Sequence, residues 1–114
     1  MRTIVAGSRA VVDYAVVRQT LDTLRFTVTE VISGAARGAD QLGERWARER
    51  GIPCRRMPAC WDLHGLRAGY VRNAEMVAIA DALVAFWDGQ SRGTRHVIEL
   101  ARAQRKIVVE VLVR

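Results

Sequence analysis

Apolar residues, many of them β-branched, recur in five short runs at residues 2–6, 28–33, 52–57, 82–87 and 107–113, and none alternates cleanly with polar positions. Strands of a parallel sheet covered on both faces read this way, because neither face meets water. Between the runs the apolar positions take helical spacing: Val12, Val16, Thr20 and Leu24; Ala39, Leu42 and Trp46; Ala74, Val77 and Ala80; Val97, Leu100, Ala101 and Gln104. The alternation predicts five strands and four helices in an α/β three-layer sandwich built of right-handed crossovers.

At 114 residues the chain has the size of one core, since domains usually run to about 100–150 residues. Residues 1–114 are therefore expected to form a single domain. The one long connection, residues 58–70, reads as an irregular loop, neither repetitive nor low in complexity. No leader-like pattern opens the chain, and no run approaches the roughly 20 apolar residues that span a bilayer. The expectation is a soluble, cytoplasmic protein with no membrane partner. Cys54 and Cys60 form no CxxC pair and have no matching histidine pair, which argues for free thiols and against a zinc or redox motif.

Charge changes the picture more than composition does. The net charge is +6, from 18 basic residues that are all arginine except Lys106, against 12 acidic ones. That balance favours a polyanionic or phosphorylated partner. The arginines are scattered, however, and Arg18, Arg45, Arg48, Arg102 and Arg105 also fit solvated helix faces.

Four segments at the ends of the predicted strands could carry chemistry. Gly7-Ser8-Arg9 offers a close backbone approach, a hydroxyl and a guanidinium fork, or equally the pieces of a tight turn. Ser33-Gly34-Ala35-Ala36-Arg37-Gly38-Ala39-Asp40 enters a helix with small residues, leaving N–H groups free for an anion such as phosphate. It is neither the G-x-G-x-x-G fingerprint nor a P-loop. Asp40 reads either as a first-turn carboxylate stabilising the helix or as an acceptor for a ribose hydroxyl. Trp87-Asp88-Gly89-Gln90-Ser91-Arg92-Gly93-Thr94 opens a second helix in the same anion-friendly way, with Thr94 as cap or phosphate donor. In the connection after the third strand, Trp61 and Tyr70 either fold over a ligand or pin the loop to the body, and Arg72 and Asn73 are placed to open the third helix and reach back to a phosphate or base. His64 and His96 read as cap, surface or packing residues. No metal cluster, catalytic triad or resident cofactor is indicated, and the acid–base candidates reduce to Asp40, Asp88 and Glu99.

Taken in order, these loops, together with Pro58-Ala59-Cys60-Trp61 and Ala68-Gly69-Tyr70-Val71-Arg72-Asn73, resemble the YspA/YpsA-related branch of the SLOG superfamily over essentially the whole chain. The superfamily also includes the DNA-processing protein DprA and the lonely-guy phosphoribohydrolases. The resemblance implies a Rossmann-like fold with strand order 3-2-1-4-5 and a ligand at the switch between strands 1 and 4. It also implies loops that bind nucleotides or related phosphorylated ligands, frequently in a homo-oligomer. Two departures matter. The lonely-guy glutamates that follow a Gly-Thr pair are replaced by His96 and Val97, leaving only Glu99 nearby, and Ala35 stands where the branch commonly has glycine.

The expected function is therefore binding of a nucleotide or nucleotide-derived ligand through Gly7, Ser8, Arg9, Ser33, Gly34, Ala35, Arg37, Gly38, Asp40, Trp61, Arg72, Asn73, Asp88, Gly89, Ser91, Gly93 and Thr94. Bulky replacements at Gly38 or Gly93 are expected to abolish binding and leave the fold intact. One alternative is N-glycosidic cleavage of a nucleotide, with Asp40 or Glu99 stabilising an oxocarbenium ion. Another is DprA-like binding of single-stranded DNA, which the few aromatic residues make the weaker case.

Overall fold

The structure of the protein, a computed structural model, describes residues 1–113. The five apolar runs form one parallel sheet of β1 (Arg2–Gly7), β2 (Glu30–Ser33), β3 (Cys54–Arg56), β4 (Ala82–Trp87) and β5 (Ile107–Leu112), in the order β3-β2-β1-β4-β5. The helices are α1 (Tyr14–Asp22), α2 (Ala39–Arg50), α3 (Trp61–His64), α4 (Ala68–Ile79) and α5 (Arg92–Ala103). This is the expected Rossmann-like α/β architecture and strand order.

β1 is the central strand, with Ile4 beside Ile32 of β2 and Leu83 of β4. Successive side chains of a strand point to opposite faces, and here both faces are apolar. Ile4, Ile32, Leu83 and Ala85 pack with Met76, Val77, Val97 and Ile98 from α4 and α5. Val5, Val31, Val84 and Phe86 pack with Val17, Leu21, Trp46 and Ala47 from α1 and α2. All six residues of β4 are buried, which explains the missing polar alternation in that run. Fully burying one such branched or aromatic side chain contributes about 1.5–3 kcal/mol.

The edge strands depart from the two-faced burial expected of them. β3 is three residues long and exposed, and its Arg55 and Arg56 pair with Glu30 and Glu44 at 3.4 and 3.2 Å. On β5, Ile107 and Leu112 are 40% and 72% exposed. A strand with only one neighbour lies at the rim of the helical layers, so apolar composition alone did not mark it as covered.

Two helix boundaries also differ from the apolar pattern. Val12 begins the first helical stripe but is 83% exposed. The helix starts after it because Asp13 adopts extended backbone and its carboxylate accepts a hydrogen bond from the Ala15 amide at 3.1 Å. The connection 58–70 is not an irregular loop: α3 is followed by a 3-10 turn at Gly65–Arg67 that runs directly into α4. Arg72 and Asn73 consequently stand in the second turn of α4, not at its opening.

The chain leaves β1 toward α1 on one face of the sheet and leaves β4 toward α5 on the other. The diverging connections leave a crevice at the carboxyl ends of these neighbouring strands. Among the described residues, no helix is long and apolar enough to cross a membrane.

Candidate ligand-binding cleft

The turn after β1 is pressed against β4. A Cβ on Gly7 would lie 1.8 Å from the Phe86 carbonyl oxygen, so only glycine permits this approach. Ser8 is buried and fully engaged: its amide donates to the Phe86 carbonyl at 2.9 Å, and its hydroxyl accepts from the Asp88 amide at 3.2 Å. Its carbonyl accepts from Ala39 at the start of α2 at 3.3 Å. Ser8 thus ties three segments together, and the exposed Arg9 that follows is free to face the crevice.

The second loop is organised from within. The Ser33 hydroxyl donates to Glu44 at 2.6 Å and accepts from the Ala35 amide at 3.0 Å, so this buried residue holds the loop instead of lining the crevice. Ala35 adopts left-handed backbone at φ 60°. The Ala36 amide donates to Asp40 Oδ2 at 3.3 Å. Gly38, at φ +76°, packs so closely that a Cβ would stand 2.4 Å from the Ser8 carbonyl oxygen. Asp40 is only 4% exposed, and burial pushes its pKa up to about 6 against the opposing pull of the Ala36 amide and the Arg72 guanidinium.

α4 connects this loop to the third one. Arg72 Nη1 donates to the Gly34 carbonyl at 2.5 Å, and its Nε donates to Asn73 Oδ1 at 3.0 Å. Asn73 Nδ2 donates to the Gly93 carbonyl at 3.2 Å and sits 3.1 Å from His96 Nδ1. Partial burial lowers the Arg72 and His96 pKa values, opposed by the charges of Asp40 and Glu99 respectively. Tyr70 is half-exposed and sets its ring edge-on to His96 at 4.4 Å.

After β4, Asp88 Oδ1 accepts from the Gln90 and Ser91 amides at 2.8 and 3.0 Å, which hold its pKa below the usual carboxylate range. Gly89 supplies a left-handed turn at φ +82°. Ser91 caps α5 by accepting from the Thr94 amide at 3.5 Å, and the Thr94 hydroxyl donates to it at 3.1 Å. A Cβ on Gly93 would meet nothing within 4 Å.

These segments enclose two adjoining cavities. An inner one of about 290 Å³ is lined by Gly7, Arg9, Asp40, Arg72, Asn73, Ser91, Gly93 and Thr94 over a floor of Met76 and Val97. An outer one of about 490 Å³ is lined by Arg9, Gly34, Ala35, Arg37, Arg72 and Trp61 with Pro58 and Ala59. Arg9, Ala36 and Arg72 belong to both. Trp61 is 54% exposed and so does not pin its segment to the body.

The remaining candidates lie elsewhere. Ser8 and Asp88 line a separate, mainly apolar cavity of about 340 Å³ against Val11, Val12, Val16 and Leu112. Ser33, Gly38 and Gly89 shape the loops without lining the cleft. Glu99 is exposed on α5 and lines neither cavity, so Asp40 is the one carboxylate among the lining residues. The sequence pattern gave no sign of Met76 and Val97 as the floor or of His96 as the partner of Asn73; only the spacing of Met76, one turn beyond Asn73, carried a trace of it.

Arg2, Arg45, Arg50, Arg55, Arg56 and Arg102 form ion pairs with carboxylates. Among the described residues, Arg9, Arg37 and Arg72 of the cleft form none, and neither do Arg18, Arg25, Arg48, Arg67, Arg92, Arg95 and Arg105 elsewhere.

Comparison with known proteins agrees with this architecture. The chain is 45% identical over 78 residues to the "Gene 61 protein" of Mycobacterium phage D29, an alignment covering 63% of this chain and 62% of that protein. It therefore spans less than two thirds of that relative's length. No solved structure matches the chain. A family model described as "YspA, cpYpsA-related SLOG family" matches residues 1–64, from β1 through α3 and therefore including the first two loops and Trp61. On this match over more than half of its length, the chain belongs to the YspA, cpYpsA-related SLOG family.

Proposed function

We propose that the cleft between the carboxyl ends of β1 and β4 binds a nucleotide or nucleotide-derived ligand through its phosphate. The carrying observation is that three guanidiniums, Arg9, Arg37 and Arg72, line one crevice in which the buried Asp40 is the one lining carboxylate. Arginine without a carboxylate partner offers forked donors suited to phosphate oxygens. The N-termini of α2 and α5 add positive potential from two sides. Asn73, Ser91 and Thr94 supply uncharged hydrogen-bonding groups for sugar hydroxyls. Asp40 acts here by fixing the Ala36 amide and hence the loop.

The test is a thermal-shift and calorimetric screen of the intact protein against nucleoside monophosphates, diphosphates and their esters, since a ligand of the folded state raises the melting temperature. Binding that Arg9→Ala weakens supports the reading; a blank screen removes it. Chromatography of the same mixtures reports any free base, which is the product that N-glycosidic cleavage requires.

A second reading, single-stranded nucleic acid, is favoured by one observation: the exposed Trp61 ring shares the outer cavity with Arg9 and Arg37. It predicts an affinity for an oligonucleotide that falls steeply with salt as counterions are released.

A further inference from the structure

We propose that two copies of this chain associate through the edge strand β5, paired antiparallel about Val109, so that their two sheets join into one.

The two edges of the sheet are built differently. β3 is three residues long and carries Arg55 and Arg56, a short charged edge of the kind that resists pairing with another chain. β5 has neither device. It pairs with β4 over six consecutive residues without a bulge, and in Ile107-Val108-Val109-Glu110-Val111-Leu112 the one charge, Glu110, is drawn off by Trp87 Nε1 and Arg102 Nη2 at 2.8 and 2.9 Å. The Ile107 and Val113 amides donate inward, to the Asp81 and Trp87 carbonyls at 3.3 and 2.9 Å. Backbone direction alternates along a strand, so the amides and carbonyls of Val108, Glu110 and Leu112 face away from β4. Among the described residues these groups have no partner.

The charges at the two ends of β5 say what fits there. Arg105 and Lys106 precede the strand, and Asp81 at that end is already paired with Arg2 at 3.8 Å. At the other end Leu112 and Val113 border the apolar cavity of about 340 Å³, whose charged lining residues are Asp13 and Asp88. A strand that is basic at its start and acidic around its end complements a reversed copy of itself. Of the registers that pair outward residues with one another, the one centred on Val109 keeps Glu110 from facing its own copy, where like charges would repel. It also sets Lys106 of each copy opposite Leu112 of the other, at the mouth of the acidic cavity. Ile107 and Leu112, 40% and 72% exposed in the single chain, are then covered. Such a two-fold contact closes on itself and leaves no edge of this kind to propagate.

Sedimentation equilibrium and hydrogen exchange of the intact protein test this. The expected result is a dimer whose affinity falls as salt is raised, because the contacts at the strand ends are ionic and near the surface. The Val108, Glu110 and Leu112 amides should exchange more slowly as the protein is concentrated, with smaller changes at Val109 and Val111. Leu112→Lys alters a side chain that is open to solvent in the single chain and sets a lysine against Lys106, so it should weaken the dimer at least about tenfold. Leu63→Lys, at a leucine equally exposed on α3, should leave the dimer unchanged. A chain that stays monomeric at about 1 mM overturns the proposal and leaves the edge to a strand of some other protein. A dimer that Leu112→Lys leaves intact, or one whose outward amides exchange as fast as in the monomer, overturns it as well.

Discussion

The side-chain nitrogen of Asn73 lies 3.1 Å from Nδ1 of His96 and 3.2 Å from the Gly93 carbonyl, while Asn73 Oδ1 takes the Arg72 guanidinium. The arginine fixes which end of the amide is oxygen. The amide nitrogen only donates, so Nδ1 must accept, and His96 is neutral with its proton on Nε2. The tautomer is thus set by α4 and not by His96's own helix.

This geometry gives the first prediction. Burial holds the folded His96 pKa below its ordinary value near 6.5. As pH falls, the unfolded chain takes up the proton first. The stabilising contribution is therefore complete above about pH 6.5 and is lost as pH falls below it. Melting temperatures between pH 8 and 5 should show this loss in the parent and less of it in His96→Gln, with a long-range ¹H–¹⁵N spectrum reporting the Nε2–H tautomer at pH 8.

Asp40 behaves with the opposite sign. Its folded pKa of about 6 exceeds the ordinary value of 3.8, so the fold disfavours the ionised form. The penalty is fully present above pH 6 and is relieved as pH falls from about 6 to 3.8. Asp40→Asn, which keeps an acceptor for the Ala36 amide, should stabilise the protein by about 1–3 kcal/mol at pH 7.5. Chemical denaturation at pH 7.5 and pH 4 checks it, because the advantage should close at the lower pH.

The three glycines near α2 and α5 should separate cleanly. Gly38→Ala meets the Ser8 and Arg9 carbonyls in a left-handed conformation, so it should cost more than about 1 kcal/mol of stability. The sequence-based expectation that Gly38 can be filled without harm to the fold is thereby corrected. Gly43 lies inside α2, where alanine ordinarily gains about 1 kcal/mol. A Cβ there would lie 2.6 Å from the Val5 side chain, and overpacking of that kind costs about 1–3 kcal/mol, so Gly43→Ala should be a net loss. Gly93→Ala should melt within about 0.5 kcal/mol of the parent. Circular dichroism melts of the three variants give the ranking.

Two non-glycine residues occupy left-handed backbone, Ala35 at φ 60° and Arg105 at φ 59°. Arg105 follows the end of α5, where the Lys106 amide returns to the Ala101 carbonyl at 2.9 Å, a position that glycine fills in many helices. The left-handed conformation costs a side-chain-bearing residue about 1–2 kcal/mol, and the entropy of glycine offsets part of the relief. Arg105→Gly should therefore stabilise by a few tenths to about 1 kcal/mol, measured by urea denaturation.

The sheet was legible because buried parallel strands leave uninterrupted apolar runs, and the loops because glycine and small residues cluster where strands end. What escaped detection depends on contacts across the molecule. Gly43 is unremarkable along α2 and is explained only by Val5 beneath it. His96 reads as a cap, surface or packing residue until α4 brings Asn73 against it. Ser33 looks available for a ligand because its partner Glu44 lies a full turn inside the following helix. Glycines at 65 and 69 beside aromatic residues suggested a loop, whereas Gly65, at φ 60°, ends α3 and opens the 3-10 turn, and Gly69 lies inside α4.

Because Gly38 brings the start of α2 against the Ser8 and Arg9 carbonyls, and Ser8 is bonded to β4 and α2 together, the guanidinium-bearing turn and the second loop move as one body. That half of the cleft is ordered in advance, so a guest bound as proposed would cost it little conformational entropy. The opposite wall is different in kind, since α3 buries none of its residues. Its amides should exchange with solvent through local opening well before those of β1 and β4. On the proposed ligand-binding reading, selectivity among guests falls to the wall carrying Trp61, where each ordered side chain has its own entropic cost.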